Sequence, residues 1–357
     1  MKSKTIILVA VVILIIAAIF YLEQEKSIPK GKIEKKELFT DNSSASMIKE
    51  KMYPKAKELV SPQGYLNVDN ITISQYLGKE VILVDFWTYT CINCQRTFPY
   101  LNTWYEEYKD KGLIIIGVHT PEFEFEKNYD NVKKAIEKYG IKYPVVQDND
   151  YKTWEAYGNQ YWPRKYLIDI DGFIVYDHIG EGGYEETEKE IQKALQERED
   201  RLKMNYSISN DIVQPNITAP NFQYIRTPEI YFGYQFSRDQ NGNSEGWQKD
   251  KVVSYKLPLN IENNKFYLSG DWMNNKDNME SKSDGEIKLL YSAKQINLVA
   301  GSDSPINISI YIDNRFVNDI SIYNYDLYTI YSTESYGKHT LEIKAPKGLR
   351  AFTFTFG

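Results

Sequence analysis

The sequence predicts three parts: a hydrophobic N-terminal helix, an α/β domain and a C-terminal all-β domain. Residues 5–22 are apolar without interruption. Two short β-branched runs, 81–84 and 113–118, flank a stretch with helical spacing, which is the pattern of parallel strands joined by a helix. Beyond residue 228, short runs rich in Tyr, Ile and Val alternate with Asn, Gly, Asp and Ser, which is typical of antiparallel strands in a β-sandwich.

The N-terminal apolar run predicts a membrane anchor. Its length of about 18 residues is close to that needed to span a bilayer, and Lys2 and Lys4 precede it while Glu23 and Glu25 follow. That charge order places the N-terminus inside and the rest of the chain outside the membrane. The alternative is a cleaved signal peptide, whose apolar region is usually shorter. Both interpretations predict that most of the chain leaves the cytoplasm.

Composition sets the remaining boundaries. Residues 23–52 are rich in Lys, Glu and Ser without a steady apolar period, and the stretch before residue 228 is rich in Asn, Ser, Pro and Thr, so both are expected to be linkers. The net charge of −6, with acids and bases interspersed, gives no indication of nucleic-acid binding. The predicted parts are an anchor (1–22), a spacer (23–52), an α/β domain (53–205), a linker (206–228) and a β-domain (229–357).

The only two cysteines of the chain lie between a predicted strand and a predicted helix. Residues 81–84 form the strand, and Phe98 and Leu101 share one face of the helix that follows. A helix N-terminus stabilises a thiolate through its free N–H groups and its dipole, so Cys91 is expected to be exposed with a lowered pKa. Cys94 lies three residues later, within disulfide reach.

Structural uses of this pair fit poorly. A disulfide between residues this close constrains only a short loop and gains little stability. A zinc site needs about four ligands, and the sequence offers no second cysteine pair or histidine cluster. The pair therefore predicts a redox-active disulfide between Cys91 and Cys94 that needs no cofactor and no metal, with an inert buried pair as the alternative.

The surrounding residues resemble the thioredoxin superfamily. Asp85 lies six residues before Cys91, where thioredoxins carry a buried acid, and Pro99 matches the proline of their active-site helix. The run from Trp87 to Cys94, WTYTCINC, resembles the DipZ branch of the TlpA-like thiol-disulfide oxidoreductases. The resemblance implies a thioredoxin-like fold with a TlpA-type insertion of one helix and one strand, in the order β-α-β-α-β-α-β-β-α.

Downstream residues extend this resemblance over about 55–205. Pro163 matches the cis proline that faces the active site in the thioredoxin fold, and Trp162 would then pair with an extended substrate peptide. Trp87 and Glu122 are further candidate substrate contacts. DipZ proteins also carry a multi-helix membrane electron-transfer domain, so a separate CcdA-like membrane protein is the implied electron donor.

The predicted β-domain carries its own resemblance. Residues 227–234 and 352–357 are similar to the C-terminal jelly-roll domain of DipZ proteins, which resembles carbohydrate-binding modules. The implied ligand is a carbohydrate, with Trp247, Trp272 and Asp271 as candidate contacts. Core packing is the simpler interpretation of both tryptophans.

The candidate site residues suggest a mechanism of disulfide exchange. Cys91 attacks a substrate disulfide and Cys94 resolves the mixed disulfide. Burial would raise the pKa of Asp85 and suit it to take the proton of Cys94, whereas a solvated acid at the strand end is the alternative. Glu122 would tune Cys91, with a surface loop acid as the alternative, and His119 is expected to be structural.

These observations predict a single-pass membrane protein whose extracytoplasmic dithiol exchanges disulfides with exported proteins. One alternative is a thiol peroxidase of the AhpC/TSA type, because Thr88 and Cys91 give a Thr-x-x-Cys pattern, although Cys94 lies too close for the usual resolving partner. Another is a surface glycan-binding protein with a secondary redox domain. The direction of electron flow stays open, since the potentials of such pairs span a wide range.

Overall fold

The structure is a computed structural model that describes residues 48–204, 208–215, 223–236 and 238–357. The predicted anchor and most of the predicted spacer lie outside these residues. Among the residues described, no helix is long and apolar enough to cross a membrane. Residues 49–357 form one compact unit, so the α/β domain and the β-domain are described together.

The α/β domain follows the predicted order of elements. Its members are β1 (Gly64–Leu66), β2 (Val81–Trp87), α1 (Ile92–Tyr108), β3 (Leu113–His119), α2 (Tyr129–Lys138), β4 (Val145–Gln147), α3 (Lys152–Ala156), β5 (Arg164–Ile168), β6 (Ile174–Ile179) and α4 (Tyr184–Leu202). From β2 onward the order is β-α-β-α-β-α-β-β-α, as the sequence predicts. Residues 71–73, which have a strand-like composition, form no strand; Ile71 and Ile73 instead bury their side chains from a loop.

The strand before the cysteines lies at the centre of the sheet. The six strands are ordered β1-β4-β3-β2-β5-β6, with β2 parallel to β3 and antiparallel to β5. All seven residues of β2 are buried because helices or loops cover both faces of the sheet. In α1, the side chains of Phe98, Leu101 and Trp104 pack into the core, as the helical spacing predicts. This packing fixes the N-terminus of α1 against the end of β2.

Among the residues that the structure describes, the C-terminal region contains β-strands and no helix. Its strands are β7 (Ile230–Tyr231), β8 (Val252–Tyr255), β9 (Phe266–Asn274), β10 (Met279–Ser281), β11 (Gly285–Gly301), β12 (Ile306–Ile312), β13 (Arg315–Ile322), β14 (Asp326–Ala345) and β15 (Arg350–Phe356). Antiparallel pairing joins eight of them in the order β13-β12-β14-β11-β15-β10-β9-β8, and β7 pairs with β15. Side chains from these strands share one hydrophobic core, so the sheet curls around it. The jelly-roll topology stays a prediction.

Two strands of this domain are longer than the sequence pattern indicates. The sequence pattern predicts separate short strands at 286–292, 296–300 and 339–344. The first two are parts of the single strand β11, and the third is only the end of β14. The pairing of β11 with β14 shifts register between Ala293 and Gln295, where the polar Lys294 interrupts the apolar alternation. A β-bulge of this kind bends a strand without ending it, which explains why the pattern resembles two strands.

An aromatic cluster joins the two domains. Phe123 and Phe125, from the loop after β3, lie 5.2 Å and 4.7 Å between ring centroids from Phe352 of β15. Phe123 and Phe352 are almost fully buried. Tyr89, two residues before Cys91, donates a hydrogen bond from its hydroxyl to the backbone oxygen of Tyr325 at 3.1 Å. The β-domain is therefore packed directly against the segment that carries the cysteines.

Candidate active site

The cysteine pair begins helix α1. Cys91 is the N-cap residue with extended backbone angles, and the backbone N–H of Cys94 donates to its Sγ at 3.2 Å. The backbone N–H of Cys91 in turn donates to the carbonyl oxygen of Thr88 at 3.4 Å. Both thiols are free in this structure. A thiol in the N-cap position can replace the side-chain oxygen that usually caps a helix, and it lies next to its resolving partner.

The surroundings of Cys91 correct one expectation. Its side chain is half-buried, and its pKa is raised rather than lowered. Burial is the largest cause, and the carboxylates of Glu229 and Glu122 add to it, while the hydrogen bond from Cys94 acts in the opposite direction. Desolvation, together with the nearby carboxyl groups of Glu229 and Glu122, therefore outweighs the helix N-terminus, on which the expectation of a lowered pKa rested.

Asp85 lies at the buried end of the site. Its carboxylate is fully enclosed, and the nearest cation is the equally buried ammonium of Lys165, 4.0 Å away. The two residues are direct partners in the antiparallel pairing of β2 with β5. Neither Asp85 oxygen has a hydrogen-bond partner among the described residues, and the same holds for the Lys165 ammonium. The pair is a loose ion pair in an apolar interior, where a charge is costly to hold.

The expected rise in the pKa of Asp85 is confirmed. Burial raises its pKa to about 7, against the opposing charge of Lys165. Burial raises the pKa of Cys94 well above the usual range of a thiol, and Cys91 and Asp85 contribute to that rise. A carboxyl that titrates near neutral pH beside a thiol that resists ionisation has the properties of a proton acceptor for it. That role stays a prediction.

Two aromatic residues near the cysteines are parts of the core. Trp87 is completely buried, with its ring 5.1 Å from Phe98 and 4.8 Å from His119 between centroids. The prediction that Trp87 contacts substrate is therefore wrong, because both faces of β2 are covered. His119 is also buried, and desolvation lowers its pKa to about 3, so it is neutral at physiological pH and structural, as expected.

The segment before β5 has the predicted geometry. The peptide bond between Trp162 and Pro163 is cis. Trp162 is half-buried, its indole N–H donates to the backbone oxygen of Thr120 at 3.0 Å, and its ring lies 4.3 Å from that of Trp154. The side chain is thus fixed without being enclosed in the core. Contact of Trp162 and Pro163 with a substrate stays a prediction.

Glu126 holds the loops of the site together, although the sequence analysis did not single it out. Its fully buried carboxylate accepts a hydrogen bond from the hydroxyl of Thr90 at 2.5 Å, directly before Cys91. It also accepts the backbone N–H groups of Glu122 and Phe123 at 2.6 Å and 2.9 Å. A carboxylate with several donors fixes two loops in one relative position. Its position within an acidic and aromatic loop, between Phe125 and Lys127, gives little signal in the sequence.

The side chain of Glu122 contacts the β-domain and is not surrounded by solvent alone. Its carboxylate oxygen Oε1 lies 2.8 Å from the hydroxyl of Tyr231, and the same hydroxyl lies 3.2 Å from Oε2 of Glu229. Burial, followed by the charges of Glu229 and Glu126, raises the pKa of Glu122 to about 8. The alternative of a plain surface acid is therefore excluded. Glu229 and Tyr231 were missed because sequence reasoning assigned them to a separate domain.

The carbohydrate candidates of the β-domain are mainly structural. Trp272 is fully buried in the core, with its indole N–H donating to the backbone oxygen of Ser269 at 2.8 Å. Its suggested contact with sugar is therefore wrong. Trp247 is half-buried and donates to the backbone oxygen of Phe232, while Asp271 accepts a hydrogen bond from a neighbouring serine. Trp272 therefore offers no ring platform for a sugar, and sugar contact by Trp247 and Asp271 stays a prediction.

One acidic cluster lies outside the redox site. The carboxylates of Asp169, Asp171 and Glu197 lie close enough to hold a metal ion. Arg201 makes two hydrogen bonds of 2.6 and 2.8 Å to Asp171, and Lys49 pairs with Asp169 at 2.5 Å and also contacts Glu197. The two cations offset two of the three negative charges and pair with all three carboxylates, so the cluster is an ion-pair network at the end of β5.

Comparison with known families divides the chain at the same place as the fold. Residues 55–177 match the AhpC/TSA family, and residues 227–357 match a family described as thioredoxin-like C-terminal domain. The protein DipZ of Mycobacterium tuberculosis is 35% identical over 308 residues, which cover 85% of this chain and 43% of DipZ. The chain thus spans less than half the length of that relative.

Two smaller relatives match the α/β domain. The thiol-disulfide oxidoreductase ResA of Bacillus thuringiensis is 36% identical over 123 residues, which cover 34% of this chain and 68% of ResA. The thiol-disulfide oxidoreductase YkuV of Bacillus subtilis is 28% identical over 142 residues, covering 40% of this chain and 95% of YkuV. Both names describe the chemistry that a reactive cysteine pair at a helix N-terminus supports.

Proposed function

The chain belongs to the thiol-disulfide oxidoreductases of the thioredoxin superfamily, and we propose that it acts outside the cytoplasm as a reductase of disulfides in exported proteins. The observation that carries this proposal is the pair of free thiols at the start of α1, with a buried carboxyl on the inner side. A disulfide in the substrate supplies the oxidant, and the two thiols supply two electrons.

The first step of the proposed reaction uses Cys91, the more accessible sulfur. Its thiolate attacks one sulfur of the substrate disulfide, a new S–S bond forms, and the substrate disulfide breaks. The released substrate sulfur takes up a proton. Cys94 is fully buried and cannot meet a protein substrate directly, so the order of attack follows from exposure.

The second step takes place on the inner, buried side of the site, where Cys94 and Asp85 lie. The Cys94 thiol gives its proton to the Asp85 carboxylate and attacks the sulfur of Cys91, which releases the second substrate thiolate. Asp85 suits this step because its pKa of about 7 lets it accept and later release the proton near neutral pH. The second substrate thiolate takes up a proton from solvent, and Asp85 later returns its proton to solvent. Cys91 and Cys94 have then each given up one proton and one electron, so the enzyme ends as the disulfide and the substrate as the dithiol.

The surroundings of Cys91 support the reducing direction. Strong oxidants of this superfamily owe their high potential to a stabilised thiolate in the reduced form. Here burial and the carboxylates of Glu229 and Glu122 destabilise the Cys91 thiolate and raise its pKa. A reduced form without that stabilisation passes its electrons on more readily. These surroundings support a reductase over an oxidase.

A reductase outside the cytoplasm needs electrons from within it. The apolar run 5–22, preceded by Lys2 and Lys4, supports a single-pass anchor in the cell membrane. The proposed donor is a CcdA-like membrane protein that reduces the Cys91–Cys94 disulfide by the same exchange chemistry. A carbohydrate ligand of the β-domain remains a separate proposal, for which half-buried Trp247 is the one tryptophan candidate left in that domain's described residues.

The proposal is tested by reduction of a protein disulfide. Purified full-length protein, kept reduced with dithiothreitol, should accelerate the reduction of insulin, and the variant Cys91→Ser should show only the background rate. A wild-type rate equal to that background would refute the oxidoreductase activity. Consumption of hydrogen peroxide without insulin reduction would instead establish the thiol peroxidase that the AhpC/TSA match makes the second candidate.

A further inference from the structure

The contact between Glu122, Tyr231 and Glu229 has more acceptors than one hydroxyl can serve. The Tyr231 oxygen lies 2.8 Å from one carboxylate and 3.2 Å from the other. A phenol has one hydrogen to donate, so it can satisfy only one carboxylate. The second contact is a hydrogen bond only when the other carboxyl is protonated and donates to the phenol oxygen. The geometry therefore fits two carboxyl groups that share one extra proton.

The surroundings of the three residues favour protonation of one of the two carboxyl groups. Tyr231 is 7% exposed, and both glutamates are half-buried at the junction of the two domains. Glu126 adds a third buried carboxylate on the side of the α/β domain. The facing cation is Arg238, whose guanidinium lies 5.4 Å above the Tyr231 ring. Burial is the largest cause that raises the pKa of Glu122 and of Glu229; the charges of Glu229 and Glu126 add to the rise for Glu122, and Arg238 opposes it at both residues.

This acid pair lies next to the nucleophile. A cavity of about 250 Å³ separates the first turn of α1 from the β-domain, and its lining residues are Ile92, Asn93, Ile225, Thr227, Glu229 and Phe356. Ile92, the residue directly after Cys91, is only 8% exposed. The negative charges of Glu229 and Glu122 both reach Cys91 and raise its pKa. The β-domain therefore forms one wall of the redox site.

We propose that Glu229 of the β-domain is a positioning residue of the redox site: bridged to Glu122 by Tyr231, it forms a carboxyl pair that controls the pH at which Cys91 becomes a nucleophile. The inference rests on the proposed function only in taking Cys91 as the attacking sulfur. At neutral pH the pair carries one proton and one negative charge. As pH rises, the pair loses its proton, and the second negative charge opposes ionisation of Cys91.

Coupling of this kind changes the shape of a titration as well as its midpoint. Two groups that repel each other ionise over a wider pH range than either would alone. Other titratable groups near Cys91 are Cys94 and the buried pair of Asp85 and Lys165, which replacement of Glu229 leaves in place. A change confined to the outer carboxyl pair is therefore separable from effects of the inner pair.

The test is the pH dependence of Cys91 alkylation by iodoacetamide in the full-length protein, measured in a Cys94→Ser background so that one thiol reacts. Glu229→Gln should lower the midpoint by about half to one pH unit and make alkylation at pH 7.5 about three- to tenfold faster. The curve should also approach a single ionisation. Glu122→Gln, which removes the other carboxyl, should shift the midpoint in the same direction.

The matched control is Glu334→Gln, which removes the same charge from an exposed position on β14. Its profile should equal that of the Cys94→Ser parent. The inference is overturned when Glu229→Gln and Glu122→Gln both give the profile of this control while the wild-type enzyme reduces insulin. Absence of insulin reduction by the wild type refutes the proposed function instead, so the two failures are distinguishable.

Discussion

The inner and outer sides of the dithiol use the same chemical group in opposite surroundings. On the inner side, the carboxylate of Asp85 faces the ammonium of Lys165 at 4.0 Å within one sheet. On the outer side, Glu122 faces another carboxylate, Glu229, across a tyrosine hydroxyl that belongs to a different domain. Burial raises the pKa of the acids on both sides, but a nearby cation opposes that rise at Asp85, whereas like charges add to it at Glu122. The inner side suits proton transfer, and the outer side suits control of the thiolate.

Replacing each sulfur in turn tests the difference between the two sides most strongly. Cys91→Ser should abolish insulin reduction, because it removes the sulfur that substrates reach. Cys94→Ser should leave the first attack intact but stop the second, so a covalent complex with substrate accumulates. Mass spectrometry under non-reducing conditions measures this complex. A trapped complex in Cys91→Ser rather than in Cys94→Ser would show that Cys94, and not Cys91, is the attacking sulfur.

The role of the inner carboxyl is tested by Asp85→Asn. This variant keeps the shape of the side chain but cannot accept the Cys94 proton, so release of substrate from the mixed disulfide should slow about a hundredfold at pH 7. Stopped-flow measurement of single-turnover release gives this rate. The first attack by Cys91 should change little, and an equal loss in both steps would show that Asp85 supports the fold rather than the proton transfer.

The raised pKa values also predict how stability depends on pH. Asp85 binds its proton more tightly in the folded state, with a pKa of about 7 against an ordinary 3.8, so its contribution to stability is lost as pH rises through that range. At 1.36 kcal/mol per pKa unit, the loss between pH 5 and pH 8 is about 3 kcal/mol for this residue. Glu122, with a pKa of about 8, acts in the same direction.

Urea unfolding at pH 5 and pH 8 measures this effect. The wild-type free energy of unfolding should fall with rising pH, and Asp85→Asn should remove about 3 kcal/mol of that fall. The variant should therefore gain relative stability at pH 8. A pH dependence of the unfolding free energy that is the same in Asp85→Asn as in the wild type would contradict the raised pKa of Asp85.

The smallest expected effect concerns the substrate surface. Trp162 is half-buried beside the cis Pro163, whereas Trp272 is fully enclosed in the β-domain core. Trp162→Ala should raise the KM for a protein disulfide several-fold with little change in kcat, because it removes binding that substrate and transition state share. Trp272→Ala should lower stability by about 3–5 kcal/mol through a core cavity. Unchanged KM in Trp162→Ala would remove that residue from the substrate surface.

Sequence reasoning recovered the inner side of the site because its information is local. Cys91 and Cys94 are three residues apart, Asp85 is six residues upstream, and apolar periodicity assigns the strand and the helix that hold them. Lys165 was not predicted as part of the site, because its position opposite Asp85 can be inferred only once the order of the strands in the sheet is known. The cis peptide bond before Pro163, which the resemblance to the thioredoxin superfamily implied, is present.

Of the outer side, only Glu122 was singled out from the sequence, because the rest depends on how two domains pack. Glu229 is more than a hundred residues from Cys91, and neither periodicity nor motif spacing brings them together. The lowered pKa expected for Cys91 was wrong for the same reason, since the helix N-terminus is a local feature and the opposing carboxylates are not. Likewise, Trp87 was assigned to substrate contact because enclosure of β2 on both faces is a tertiary property.

The central claim is that carboxylates and burial around Cys91 make this dithiol a reductant. The most direct measurement is the equilibrium reduction potential of the Cys91–Cys94 pair in the purified protein against glutathione buffers. We predict a value near that of thioredoxin, about −270 mV, because the Cys91 thiolate is destabilised. A value near about −120 mV, as in the oxidant DsbA, would mean a stabilised thiolate and would contradict the account.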